Sequence, residues 1–152
     1  MNNALIIVDA WYYHDESEDL WANKEAKAFG HFLNTVCKYE RSRGTQVLHE
    51  SSGFDTMNEI FISNKDTILS DIKNIKKNFD FYFFAGFHLD ICVSGKADQL
   101  SNIIDKRKIG IVLNLSLLSI EKSNIQLTLA NIPHNFYWWT REGFSPLRLF
   151  NV

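Results

Sequence analysis

Cys92 and Asp9 are the residues whose types and placing suggest chemistry in this chain of 152 residues. Each follows a short apolar run, FDFYFFAG before Cys92 and ALIIVDA around Asp9. Cys92 is expected in the first turn of a helix, whose oriented amides favour negative charge and so a thiolate. Those amides could also hold an oxyanion as a carbonyl is attacked. Asp9 could take the thiol proton and later manage the leaving group. A cation nearby would hold the pair charged, and Lys65 is the candidate. His49 and His88 flank the expected pocket edge, where hydrogen-bonded histidines are the plainer reading than a general base. Cys37, on the apolar stripe of a helix, is read as packing.

Alternating strand-like and helix-like segments must position these residues. Ala4–Ala10, Thr45–Glu50, Glu59–Ser63 and Phe79–Gly86 read as strands, followed by KIGIVLNL and NFYWWT. Between them, Ala26, Phe29, Leu33, Val36 and Cys37 recur at helical spacing from Asn23 to Ser42, and Gly44 stops that helix. Asp66 is expected to cap a second helix through Leu69, Ile72 and Ile75. A third runs from Cys92 to Lys106, and a fourth around Glu121 to Asn131. The tail REGFSPLRLFNV has no clear assignment. The alternation predicts one three-layer α/β/α domain over residues 1–152, Rossmann-like, with a mostly parallel sheet of five or six strands. Ligands in such sheets bind beyond the strand carboxyl ends. That edge would carry Asp9, His49, Ser63, Asn64, Lys65 and the stretch from Gly86 to Cys92.

Composition narrows the function classes. Hydrophobic residues make up 45% and charged residues 22%, as in soluble globular chains. A net charge of −2 offers no basic face for nucleic acid. No apolar run reaches the roughly 20 residues that cross a bilayer. MNNALIIVDAW lacks the basic start of a signal peptide, so a cytoplasmic protein with two free thiols is expected. The acidic stretch with His14, Asp15, Glu16, Glu18 and Asp19 reads as a solvated loop, without the paired histidines of a metal site. No cofactor or metal is expected. Trp138 and Trp139 are adjacent, so a strand would turn them to opposite faces. An exposed aromatic there suggests a homo-oligomer.

Three segments resemble the isochorismatase-like (cysteine hydrolase) superfamily: ALIIVDAW, KYERSRGTQVLHE and FYFFAGFHLDICVSG. The last is the most diagnostic, an apolar strand and a Gly with a Cys-Val six residues on, here Gly86 and Cys92–Val93. The resemblance implies an Asp–Lys–Cys triad, carried onto Asp9, Lys65 and Cys92. It implies a cis peptide at Phe87–His88 beside the oxyanion, and a small-molecule pocket edged by Trp11, His49 and Asn64. It also implies hydrolysis of an amide-type C–N bond through a Cys thioester.

This chain departs from the pattern. The family Lys ends the third strand and stands further from the Cys than Lys65, which is 27 residues away; Ser63 or Asn64 are alternative occupants of that position. Leu89 replaces a small polar residue, and the connection from Ser51 to Asn58 is brief. An inactive fold kept for binding a ligand or a protein is therefore the alternative.

Overall fold

The computed structural model describes residues 1–9, 24–50, 63–118 and 125–148. Among these residues, seven strands form one sheet: β1 (Asn3–Val8), β2 (Gln46–Glu50), β3 (Thr67–Leu69), β4 (Phe81–Phe87), β5 (Ile109–Leu117), β6 (Asn135–Thr140) and β7 (Gly143–Leu147). Their order is β3-β2-β1-β4-β5-β6-β7. Neighbours from β3 through β6 are parallel, and β7 alone runs antiparallel, against β6. The α/β reading holds, with seven strands in place of five or six.

β1 is central and buried from Ala4 to Val8 because helices cover both faces. Its side chains alternate between two cores, as the two-residue period of a strand requires. Leu5 and Ile7 pack with Leu33, Val36 and Cys37 of α1 (Lys24–Ser42). Ala4, Ile6 and Val8 face the opposite layer, with Val93 and with Ala97 and Leu100 of α2 (Ser94–Ser101). A short α3 (Ile125–Ala130) lies on that side too, where Leu129 packs against the core.

Two segments differ from the sequence expectation. The stretch after Asp66 is the three-residue strand β3 and a single 3-10 turn at Ile72–Asn74, not a helix. Ile72 and Ile75 are buried as the helical spacing suggests, but a 3-10 turn brings i and i+3 together just as well. The tail left unassigned supplies β7, whose Pro146 is tolerated because the strand lies at the sheet edge. The expected strand Glu59–Ser63 falls mostly outside the described residues. On β6 the two tryptophans do part: Trp138 is exposed, while Trp139 Nε1 donates to buried Glu40 of α1 at 3.2 Å.

The strand order reverses between β1 and β4, with β2 leaving to one side and β5 to the other. The carboxyl ends of β1, β2 and β4 thus share one edge at the switch point.

Candidate active site

Gly86 sets the local geometry at the end of β4. Its φ is +119°, and it pairs with Val8 so closely that a Cβ would meet the Val8 carbonyl oxygen and lie 2.8 Å from its nitrogen. Only glycine fits both the angle and the approach. The Phe87–His88 peptide is cis, at the place the resemblance implies. Phe87 is fully buried against Phe29 of α1, ring centroids 5.5 Å apart.

After His88 the chain makes a π turn, Leu89–Val93, that runs straight into α2. The amides of Ile91 and Val93 both donate to the His88 carbonyl, each at 3.1 Å. Cys92 lies within this turn, two residues before the helix proper, half-buried against the α2-side core. Such turns are frequent at functional sites. Asp9 follows β1 with a φ of 53°; its amide donates to the Glu50 carbonyl at 2.9 Å, and the residue is buried. Asp9 and Cys92 therefore follow adjacent parallel strands at the same sheet edge.

Lys65 does not join them. It is exposed, in the turn that precedes β3, whereas the site lies at the strands' carboxyl ends. Asn64 sits in the same turn and is likewise exposed and away from the site. The sequence reading took a strand to end just before Lys65; the described third strand begins just after it, which inverts the edge these residues occupy. At the carboxyl end of β3 stand Leu69, Ser70 and Asp71, with no cation. Trp11 lies outside the described residues.

A different lysine serves this edge. Lys96 Nζ pairs with Glu50 Oε1 at 2.9 Å, and Glu50 ends β2. Lys96 follows Cys92 by four residues, the spacing that puts two side chains on one helical face. That spacing was the available signal for it. Glu50 is buried, and its Oε2 has no hydrogen-bond partner among the described residues. Burial raises the Glu50 pKa, the hydrogen bond and charge of Lys96 oppose this, and the charges of Asp9 and Asp71 push it further up.

His49, expected at the pocket, faces away from it. Leu48 and Glu50 turn toward the α2 layer, so His49 between them turns toward α1. It is fully buried there, its Nε2 2.7 Å from Asp66 Oδ2. Arg41 of α1 binds the same carboxylate through Nε at 2.7 Å and a terminal nitrogen at 2.5 Å, and the Ser63 amide donates to it at 3.0 Å. Burial alone would raise the Asp66 pKa; the bonds from His49, Arg41 and Ser63 outweigh it and hold the carboxyl well below the usual range. A depressed acid contributes stability that is complete above its unfolded pKa of about 4 and lost as pH falls through the folded value. Acid titration of unfolding should therefore show stability falling below about pH 4, and Asp66→Asn should flatten that fall. At neutral pH the same change should cost about 3 kcal/mol, because it leaves Arg41 without its ion pair.

No family model matches the chain, and no curated protein matches it in sequence. Solved structures do match its fold. An isochorismatase-like hydrolase from Alkaliphilus metalliredigens superposes with a TM-score of 0.64 at 14% identity, covering 93% of this chain and 96% of that one. A nicotinamidase/pyrazinamidase from Bacillus subtilis gives 0.63 at 14%, covering 90% and 99%. N-carbamoylsarcosine amidase from Thermoplasma acidophilum gives 0.58 at 19%, covering 87% and 92%. A similar pyrazinamidase, from Pyrococcus horikoshii, was solved with zinc. Among the described residues here, no three His, Cys, Asp or Glu side chains converge to hold a metal. No described helix is long and apolar enough to cross a membrane. With its switch point between β1 and β4 and its cis peptide before the cysteine turn, the chain has the fold of the isochorismatase-like hydrolases.

Proposed function

We propose that the chain is a cysteine hydrolase of small molecules, cleaving an amide-type C–N bond, with Cys92 as nucleophile, Asp9 as acid and base, and Lys96 as the cation. Asp9 takes the Cys92 proton, and the sulfur attacks the carbonyl carbon. Backbone amides around Phe87–His88 and the cysteine turn stabilise the oxyanion. As the C–N bond breaks, Asp9 returns the proton to the departing nitrogen. Water then adds to the thioester, giving a proton to Asp9, and the acid leaves as the thiol reforms. One water is consumed; one amine and one acid are released. The observation that carries this reading is the Lys96–Glu50 pair, 2.9 Å long, which puts an ammonium at the edge shared by Asp9 and Cys92.

Labelling of Cys92 tests the assignment without a known substrate. Asp9→Asn, which removes the proposed proton acceptor, should slow alkylation of Cys92 at neutral pH. Lys96→Gln should slow alkylation at neutral pH about tenfold, the effect of roughly one pKa unit on the thiolate fraction. Lys65→Gln should leave it unchanged.

A second reading, an inactive fold that binds a ligand or a protein, is favoured by the exposure of Lys65 and by its place before β3 rather than after it. It requires that neither Asp9→Asn nor Lys96→Gln alter Cys92 labelling.

A further inference from the structure

A cavity of about 460 Å³ lies on the α1 face of the sheet, at the edge opposite Cys92. Asn3 and Phe81, the first residues of β1 and β4, line it with Glu40 of α1, Arg43 just beyond that helix, and Tyr137 and Phe144 of the β6–β7 hairpin. Its volume falls in the range of about 300–1,000 Å³ in which small molecules are bound. One wall is a stack of rings. Phe83 lies against Phe144, centroids 4.1 Å apart and planes 11° apart, and against Phe81 at 5.7 Å and 14°. Another flat ring extends such a stack better than a branched aliphatic chain does. The charged groups are already engaged. Glu40 is buried, and its carboxylate accepts from Thr45 Oγ1 at 2.9 Å and Trp139 Nε1 at 3.2 Å, with Arg43 Nη1 at 3.5 Å. The Arg43 guanidinium also donates to the carbonyls of Arg141 and Glu142, at 2.7 and 3.3 Å. These opposed charges leave little net field for an ionic ligand, and the Glu142 carboxylate is exposed at the rim, where salt screens it. Two polar groups of the wall are not engaged among the described residues. Asn3 Oδ1 has no hydrogen-bond partner, and burial alone acts on the Tyr137 hydroxyl, raising its pKa. Asn3 as a whole is half-buried, so its amide can turn to the cavity. A carboxamide carries a donor and an acceptor side by side, whichever way its two ends are assigned. Its complement is the same pair reversed, an N–H beside a C=O.

We propose that this cavity is a second binding site, remote from the cysteine, for a flat uncharged aromatic molecule with a donor and an acceptor side by side, as in a lactam or a carboxamide. The ring joins the phenylalanine stack, and the polar edge meets Asn3. A flat molecule without the donor fills the same space but leaves the Asn3 acceptor unsatisfied, and that difference is the basis of selection. The site is independent of the hydrolase reading, because none of its residues belongs to the edge that carries Asp9 and Cys92.

Two probes of the same shape test this on the full chain: 2-quinolinone, a lactam with N–H beside C=O, and coumarin, in which an oxygen replaces that N–H. Binding is followed by backbone amide NMR shifts, which report where each probe sits. 2-Quinolinone should give saturable shifts centred on Asn3, Thr45, Tyr137 and Phe144. Its Kd should lie at least about tenfold below that of coumarin, the effect of one hydrogen bond to an otherwise unsatisfied buried group. Asn3→Leu should remove the preference, so that the two probes bind alike. Any of four results overturns the inference: no saturation, shifts centred elsewhere, equal affinity for the two probes, or a preference that survives Asn3→Leu. None of them bears on the hydrolase reading, which the labelling of Cys92 tests separately. The wild-type ratio and shift map decide the matter even if Asn3→Leu fails to fold.

Discussion

Gly86→Ala is expected to be among the most destabilising single-methyl changes in the chain, at about 3–5 kcal/mol. Two independent costs combine. The backbone φ of +119° is one that an L side chain rarely adopts. The new Cβ would also run into the Val8 carbonyl, a backbone atom of the central strand that cannot rotate aside. Relief would mean moving β4 away from β1, and β1 is buried from Ala4 to Val8 between two helical layers. Gly44 supplies the contrast. Its φ is +92°, but nothing lies within 4 Å of where a Cβ would stand. Gly44→Ala should cost only the conformational part, about 1–2 kcal/mol. Urea or thermal unfolding of the two variants beside the wild type checks the difference. Equal losses would mean that the close approach of Gly86 to Val8 contributes nothing. The variant should also disturb Cys92, since the chain passes from Gly86 to the cysteine turn through Phe87 and His88 alone before Leu89.

The second large effect separates the two cysteines. Cys37 is fully buried on α1, and burial pushes its thiol pKa up to about 12, helped by Asp66 and Glu40 and opposed by Arg41. Near neutral pH its thiolate fraction is then on the order of 10⁻⁴ or less, and the thiolate is the nucleophile. Cys92 is half-buried at the strand edge. Iodoacetamide should label Cys92 in the folded protein at least about a thousandfold faster than Cys37, since Cys37 lacks both access and thiolate. In denaturant the two should react alike. Peptide mapping after limited alkylation reads the ratio directly. Comparable labelling of both in the folded state would contradict the burial of Cys37.

The amino-acid pattern by itself determined the architecture and half of the proposed site. Apolar runs after which Asp9 and Cys92 follow, an amphipathic stripe ending before Gly44, and the Gly86–Cys92 spacing are local features, written in consecutive residues. They carried the α/β alternation, and through the family resemblance the position of the Phe87–His88 cis peptide. Tertiary structure decided what depends on strand direction and pairing. Whether Lys65 follows a strand or precedes one moves it from one edge of the sheet to the other, and β3 is three residues long, too short for periodicity to reveal. His49 and Glu50 are neighbours, yet the pleat of β2 sends one to an ion network on α1 and the other to Lys96. Which of them met the site required knowing which face of β2 packs under α2. β7 gains its place only by pairing with β6, a long-range contact that no local signal in REGFSPLRLFNV announces. The cation is the clearest case. Lys96 stands four residues after Cys92 in plain view of the sequence, but only the burial of Glu50 at the end of β2 draws its ammonium to that edge.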